Sequence, residues 1–270
     1  MLESVTVRDK PFYREAGIGD GVVCLHSNAS TSGQWRALME LLAPKYHVFA
    51  VDSYGSGQSA DWSSDREITL ADEARFIEPV LERAGEPLVL VGHSYGAAVA
   101  LIAALRNPKR VKALALYEPT LFSLIDAESP PPNAADGIRN AVASAVAHLD
   151  AGRAEAAAQC FIDYWMGEGS WSAMPPARKP VVADSVRNIR RWGHALTREP
   201  TPRAAFAALD MPVLYMTGGR TTESALGVAR LLAPVLPRAQ VESLGGLGHM
   251  GPVTHPQRVN ETIARFLDRL

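Results

Sequence analysis

Residues 87–108 read PLVLVGHSYGAAVALIAALRNP, and the order of properties along them decides the fold. Residues 88–91 form a short run with no polar side chain and two valines, the pattern of a strand buried on both faces of a parallel sheet. Gly92-His93-Ser94-Tyr95-Gly96 interrupts the run. From Ala97 to Leu105 the apolar spacing is helical, and Asn107-Pro108 closes it. Strand, G-x-S-x-G and helix in this order describe a tight turn that strains the backbone of Ser94 and exposes its hydroxyl, the setting of a nucleophile. Gly92 and Gly96 flank it because side chains there would collide with the neighbouring strand and helix. The bare five-residue pattern would arise by chance in a chain of this length roughly one time in ten, so the flanking strand and helix carry the specificity. The competing reading of Ser94 is a helix cap, a role serine fills well.

Outward from this stretch the alternation of strand and helix recurs. On its N-terminal side, residues 5–13 alternate enough for an edge strand, 17–21 are a turn, and 22–25 are a buried strand ending at His26-Ser27-Asn28. Residues 34–42 form an amphipathic helix stopped by Pro44, 47–51 the next strand, and 68–84 a helix with Thr69 or Asp65 near its start. On the C-terminal side, residues 111–117 are a buried strand that delivers Glu118-Pro119. Strand patterns are then missing from Thr120 to Arg203, where Ala-rich helical stretches run over 135–149, 153–166 and, more loosely, 181–196. Trp165, Trp171 and Trp192 supply aromatic surface to bury, so this is a folded helical insertion and not a linker. Residues 212–216 resume the strands, 223–236 are a helix, 240–244 the last strand and 256–270 the closing helix. The expected fold is α/β, a three-layer α/β/α sandwich with a mostly parallel sheet, built from residues 1–119 and 204–270 with 120–203 inserted.

A chain of 270 residues is near the upper limit for one hydrophobic core, which suits one domain with an insertion better than two equal domains. Its 47 % hydrophobic and 21 % charged residues are ordinary for a globular protein. A net charge of -2 and the lack of a basic block give no reason to expect nucleic acid or a membrane surface as partner. A small-molecule substrate is expected instead, and a homodimer is left open. MLESVTVRDK mixes acid and base without an apolar core, so no secretory signal is expected and a cytoplasmic location follows by default. Cys24 and Cys160 each sit among apolar neighbours and read as small buried hydrophobes, with no metal site. The glycine-rich residues 52–59 lack both the dinucleotide spacing and the Lys-Ser/Thr of a phosphate-binding loop, so no nucleotide cofactor is expected.

The order of elements, His26 at a strand end, the G-x-G-x-S of 55–59, the Ser94 turn, the insertion after the next strand and Leu247-Gly248-His249 after the last strand together resemble the α/β-hydrolase fold family over nearly the whole chain. The resemblance implies that the insertion is a cap, that Ser94 is the nucleophile and His249 the base, and that the backbone N–H groups of Asn28 and Tyr95 form an oxyanion hole. The residues themselves agree: a serine hydroxyl needs a neighbouring base, and histidine titrates in the useful range. His249 lies in a loop with Gly245, Gly246, Gly248 and Gly251, free to reach inward at the C-terminal edge of the sheet. A solvated loop histidine, or His255 as base, are the alternatives. His26 and His93 read as packing or loop-anchoring residues.

The acid departs from the family's commonest pattern, because residues 217–223, after the strand 212–216, contain no Asp. Some dehalogenases of the fold take the acid from the preceding strand tip, where Glu118 stands, and Pro119 is expected to keep Glu118 extended. Glu223 is the other candidate, although the helix dipole already explains an acid in a first helical turn. A serine nucleophile, where dehalogenases and epoxide hydrolases of the fold have Asp, favours acyl transfer to water. The expected function is therefore serine hydrolysis of a small ester or related carbonyl compound. C–C bond cleavage, lactone hydrolysis and peracid formation are alternatives with the same triad, a low-turnover ligand sensor or partner-binding protein is one of another class, and a nucleotide-binding oxidoreductase lacks its fingerprint. Leu121 and Phe122, just beyond Glu118, are expected pocket walls. Trp165, with Phe161, Met166, Trp171, Met174 and Trp192, either lines an apolar acyl or aromatic pocket or forms the insertion's own core. Arg187, Arg190 and Arg191 either meet a substrate carboxylate or form a solvated helix face.

Overall fold

A computed structural model describes residues 10–270. Seven strands make one sheet: β1 (Tyr13–Ala16), β2 (Asp20–Leu25), β3 (Tyr46–Val51), β4 (Leu88–His93), β5 (Val111–Tyr117), β6 (Val213–Gly218) and β7 (Ala239–Leu244). Their order across the sheet is β1-β3-β2-β4-β5-β6-β7, with β1 antiparallel to β3 and every other pairing parallel. Residues 5–9 of the expected edge strand lie outside the described residues; β1 itself begins at Tyr13.

The helices that cover the sheet's faces before the insertion are α1 (Arg36–Leu42), α2 (Leu70–Phe76), α3 (Glu78–Ala84) and α4 (Tyr95–Arg106). The expected single helix over 68–84 is two, because Pro79, in the first turn of α3, has no N–H to continue the ladder of α2. Thr69, not Asp65, starts α2, in a reciprocal capping box with Asp72. The insertion carries α5 (Ser123–Glu128), α6 (Asp136–Asp150), α7 (Ala154–Met166), α8 (Ser170–Ala173), α9 (Lys179–Val186) and α10 (Ile189–Thr197), with no strand among its residues. Beyond it come α11 (Glu223–Leu232), α12 (Gly251–Thr254) and α13 (Pro256–Leu267).

The period of two along each strand divides the core between the two faces. Val23, Leu25, Leu88, Leu90, Leu114 and Leu116 point to the face covered by α2, α3 and α4. Val22, Cys24, Val89, Val91, Ala113 and Ala115 point to the face covered by α1 and α13, where Leu38, Leu42, Val259, Ile263 and Phe266 meet them. Truncating one of these fully buried side chains, Leu90→Ala for example, removes about 2–5 kcal/mol. Helix α4 is buried on every side from Tyr95 to Ala104, which accounts for its almost wholly apolar sequence.

Candidate active site

The turn between β4 and α4 holds Ser94 at φ +56°, ψ -116°, a conformation that L-residues with side chains rarely adopt. Two close approaches enforce it. A Cβ on Gly92 would lie 2.5 Å from Ala97 Cα, and one on Gly96 would run into the carbonyl of Leu25 on β2. The Ser94 N–H is spent on the Tyr117 carbonyl at 2.9 Å, which fixes the turn against the end of β5.

His249 follows β7 in a loop pinned from three directions. Its own carbonyl accepts from His93 Nε2 at 2.8 Å, the Gly248 carbonyl from the Tyr117 hydroxyl at 2.7 Å, and the Leu247 carbonyl from the Arg220 N–H at 2.8 Å. His93 is thus a loop anchor; burial, then the neighbouring His249 ring, holds its pKa well below the usual histidine value. His249 Nε2 lies 2.9 Å from Ser94 Oγ, and its Nδ1 lies 2.6 Å from Glu118 Oε2. A carboxylate at Nδ1 fixes the proton there, leaving Nε2 to accept the Ser94 hydroxyl. All three side chains are almost fully buried: Ser94 is 4 %, Glu118 0 % and His249 1 % exposed.

Glu118 does not sit as the sequence suggests. It is not extended before Pro119 but at φ +45°. Tertiary hydrogen bonds override the usual pre-proline preference: its N–H donates to the Met216 carbonyl, its Oε1 accepts from the Gly218 N–H at 2.6 Å, and its Oε2 accepts from the Thr221 hydroxyl at 2.7 Å. The other acid candidate, Glu223, is exposed and ion-paired with Arg230. His255 is on the surface with its Nδ1 2.9 Å from Thr254 Oγ1, away from this group.

Above Ser94 lies a cavity of about 590 Å³. Asn28 and Ser94 are on its floor; Phe122, Ile138, Val142, Val146, Phe161, Trp165, Ile189, Trp192 and Leu196 make most of its wall. Two of the arginines along it are ion-paired, Arg139 with Asp126 at 2.6 Å and Arg190 with Asp150 at 2.7 Å. Arg187 is away from the wall, beside Asp61 and Asp184. Leu121 corrects an expectation: it is fully buried in the core and lines no part of the cavity, because its side chain points inward while that of Phe122 points to the opening. Trp171 and Met174 are likewise not in the wall, whereas Trp165, Phe161 and Trp192 are. Trp165 also stacks on the His249 ring, with centroids 3.7 Å apart.

Among the described residues, the backbone N–H groups of Asn28 and Tyr95 donate to no other loop and to no side chain. Tyr95 is the first residue of α4, so its N–H points out of a helix N-terminus. Asn28 is held near it because the His26 carbonyl accepts from the Gly96 N–H at 3.1 Å. His26 fastens this loop: its Nδ1–H donates to the Ser27 carbonyl at 2.7 Å and its Nε2 accepts from the Ser53 N–H at 3.1 Å, and burial depresses its pKa. Beneath Tyr95, Glu73 accepts from the Tyr95 hydroxyl at 3.1 Å, and burial pushes its carboxyl up to about 8. Thr221, Trp165 as a cover on His249, and Glu73 were not foreseen in these roles; for Thr221 no sequence signal exists, since its partner is 103 residues away.

The chain resembles known proteins along most of its length. The chain is 27 % identical over 263 residues to a pimeloyl-(acyl-carrier protein) methyl ester esterase of Yersinia pseudotuberculosis, covering 95 % of this chain and 97 % of that one. It is 37 % identical over 111 residues to a haloalkane dehalogenase of Agrobacterium fabrum, a match that spans only 36 % of that protein's length and 41 % of this chain. Among solved structures, an alpha/beta hydrolase from Sphaerobacter thermophilus superposes with a TM-score of 0.70 at 25 % identity, over 95 % of this chain and 96 % of that one. The family model for the alpha/beta hydrolase fold matches residues 21–256, and the chain belongs to that family.

Proposed function

We propose that this protein is a serine hydrolase that cleaves a small carboxylic ester with an apolar acyl or aromatic group, through an acyl-enzyme. The observation that carries the reading is the unbroken line of hydrogen bonds from Ser94 Oγ to His249 Nε2 and from His249 Nδ1 to Glu118, buried at the floor of an apolar cavity. In the first step Nε2 takes the hydroxyl proton as Oγ attacks the ester carbonyl carbon. The imidazolium that forms is held by Glu118, whose carboxylate is oriented by the Gly218 N–H and the Thr221 hydroxyl. The N–H groups of Asn28 and Tyr95 receive the developing oxyanion, aided by the N-terminus of α4. His249 returns the proton to the leaving alkoxide, the alcohol departs, and the same base then activates the water that releases the acid.

Residues 120–203 act as a cap in this scheme, the apolar wall selecting the acyl group and excluding bulk water. A serine at position 94 supports acyl transfer over alkyl-ester chemistry, and the full-length likeness to an ester hydrolase supports the same choice. A fluorophosphonate probe is expected to label Ser94 alone, and Ser94→Ala or His249→Ala to lower kcat on p-nitrophenyl esters by roughly 10³-fold or more. Undiminished hydrolysis by Ser94→Ala would end this reading. Saturable ligand binding with a thermal shift and no acyl-enzyme burst would replace it with a sensor.

A further inference from the structure

The indole of Trp165 lies over the imidazole of His249 with ring centroids 3.7 Å apart and planes 23° from parallel. Both side chains are buried. The indole is itself boxed in, by Tyr164 edge-on at 4.8 Å, by Phe161 edge-on at 6.4 Å and by Phe122 stacked at 6.5 Å. Tyr164 is tied to the far side of the site, its hydroxyl 2.6 Å from Ser224 Oγ in the first turn of α11. The contact therefore has fixed geometry, set by packing between α7 and the core.

We propose that Trp165 is a positioning residue for the base: its indole face holds the His249 ring in line with Ser94 and Glu118 and stabilises the ring when it carries a proton. The inference rests on the serine-hydrolase reading. An aromatic face is electronegative, so its attraction for a ring stacked on it grows when that ring becomes cationic, and grows further where water is excluded. In the proposed mechanism His249 accepts the Ser94 proton and carries the charge in the transition states of both steps. An interaction that strengthens with that charge lowers the barrier without tightening substrate binding.

The other titratable groups around the ring are already committed. Glu118 meets the Nδ1 edge. His93, its centroid 5.3 Å away, is kept neutral by burial, and burial also keeps the Tyr117 phenol protonated. Trp165 is the group that covers the ring's face, and it comes from the insertion. A correctly seated cap is then part of the base's environment as well as a wall of the pocket.

Fluorine drains the electron density of an indole face while barely changing its shape, which separates this role from simple packing. Mono-, di- and trifluorotryptophan placed at position 165 should lower kcat on p-nitrophenyl butyrate stepwise, by roughly 3- to 10-fold across the series. The acid limb of the kcat/KM profile should move down by roughly half a pH unit to one unit, with KM steady within about twofold. The same series at Trp171, buried in the insertion but outside the cavity wall, should leave both kcat and the limb where they are. A kcat and an acid limb indifferent to fluorination at 165, or equally sensitive at 171, would overturn the inference. Failure of the unsubstituted protein to react with a fluorophosphonate would instead remove the hydrolase reading beneath it.

Discussion

The C-terminal rim of the sheet and the helical insertion above it solve opposite problems. At the rim, polar groups far apart in sequence converge and hydrogen-bond: Glu118 alone accepts from Gly218, Thr221 and His249. Across the cavity, the insertion turns apolar and aromatic side chains toward Ser94 and keeps Arg139 and Arg190 occupied with Asp126 and Asp150. Buried polar atoms are costly unless matched, so a hydrogen-bonded rim has little freedom to vary. An apolar wall asks only for shape and tolerates exchange of one hydrophobe for another. On the proposed reading the reaction belongs to the rim, with Trp165 reaching down into it, and the choice of substrate to the rest of the insertion. Substitutions on either side test that division.

The largest effect is expected at the acid. Glu118→Gln places an amide where one carboxylate oxygen accepts from both Thr221 and His249, so the imidazole loses the partner that fixes its tautomer. The expected loss in kcat is roughly 10³- to 10⁴-fold, whereas Glu223→Gln, at an exposed ion pair, should change kcat by less than about twofold. Steady-state kinetics on the two variants, with thermal melts to confirm folding, reads the difference directly. Equal, mild losses would mean that the rim does not hold the reaction.

A smaller effect is expected just under the rim. Glu73 is buried beneath Tyr95 and its carboxyl is pushed up to about 8 from 4.5, burial outweighing the hydrogen bonds from Tyr54 and Tyr95. Folding therefore favours the neutral acid. The unfolded chain ionises as pH rises through 4.5 and the folded one only near 8, so the stabilisation is complete below pH 4.5, declines up to about pH 8 and is flat beyond. By pH 7 the loss from this group is roughly 3 kcal/mol. Glu73→Gln cannot ionise and should flatten that part of the curve, raising stability near pH 8 with little change at pH 5. Urea unfolding at the two pH values measures it, and an unchanged slope would show that Glu73 does not titrate with folding.

The rim and the insertion also differ in how legibly the sequence encodes them. The turn at Ser94 is readable because strand, turn and helix are consecutive, and local pattern is what a sequence displays best. The alternation on both sides of it led to the parallel sheet with helices on both faces. Glu118 was legible as a candidate at a strand tip, but its backbone was not: the pre-proline preference for extension gives way to a φ of +45° because hydrogen bonds from β6 and the loop after it hold both ends of the residue. Leu121 illustrates a different limit. Adjacency to Glu118 in the chain says nothing about which way the side chain points, and consecutive residues at 121 and 122 face the core and the cavity respectively. In the insertion, helical spacing located α6 and α7 but ran α9 and α10 together as one looser stretch and gave no sign of the short α5 and α8; which aromatic faces the cavity is decided by how α7 and α10 pack on the core, a tertiary property with no local signal.

The finest test of the division changes the wall and leaves the rim alone. Phe161 lines the cavity through its ring and is nearly buried among Trp165 and Trp192. Phe161→Ala opens space at the wall without touching the hydrogen bonds of Ser94, His249 or Glu118. Extra methylenes that the native wall excludes should then be accepted, each worth about 1 kcal/mol when buried. On p-nitrophenyl esters from acetate to decanoate, the ratio of kcat/KM for the longest to the shortest acyl chain should rise by roughly 10-fold, while kcat for acetate stays within about threefold. Arg190→Ala, which removes an exposed ion pair at the edge of the same cavity, should leave the ratio within about twofold. If instead the acetate rate collapsed with Phe161→Ala, Phe161 would belong with Trp165, its edge-on neighbour at 6.4 Å, in supporting the base, and the boundary between chemistry and selection would lie further into the cap.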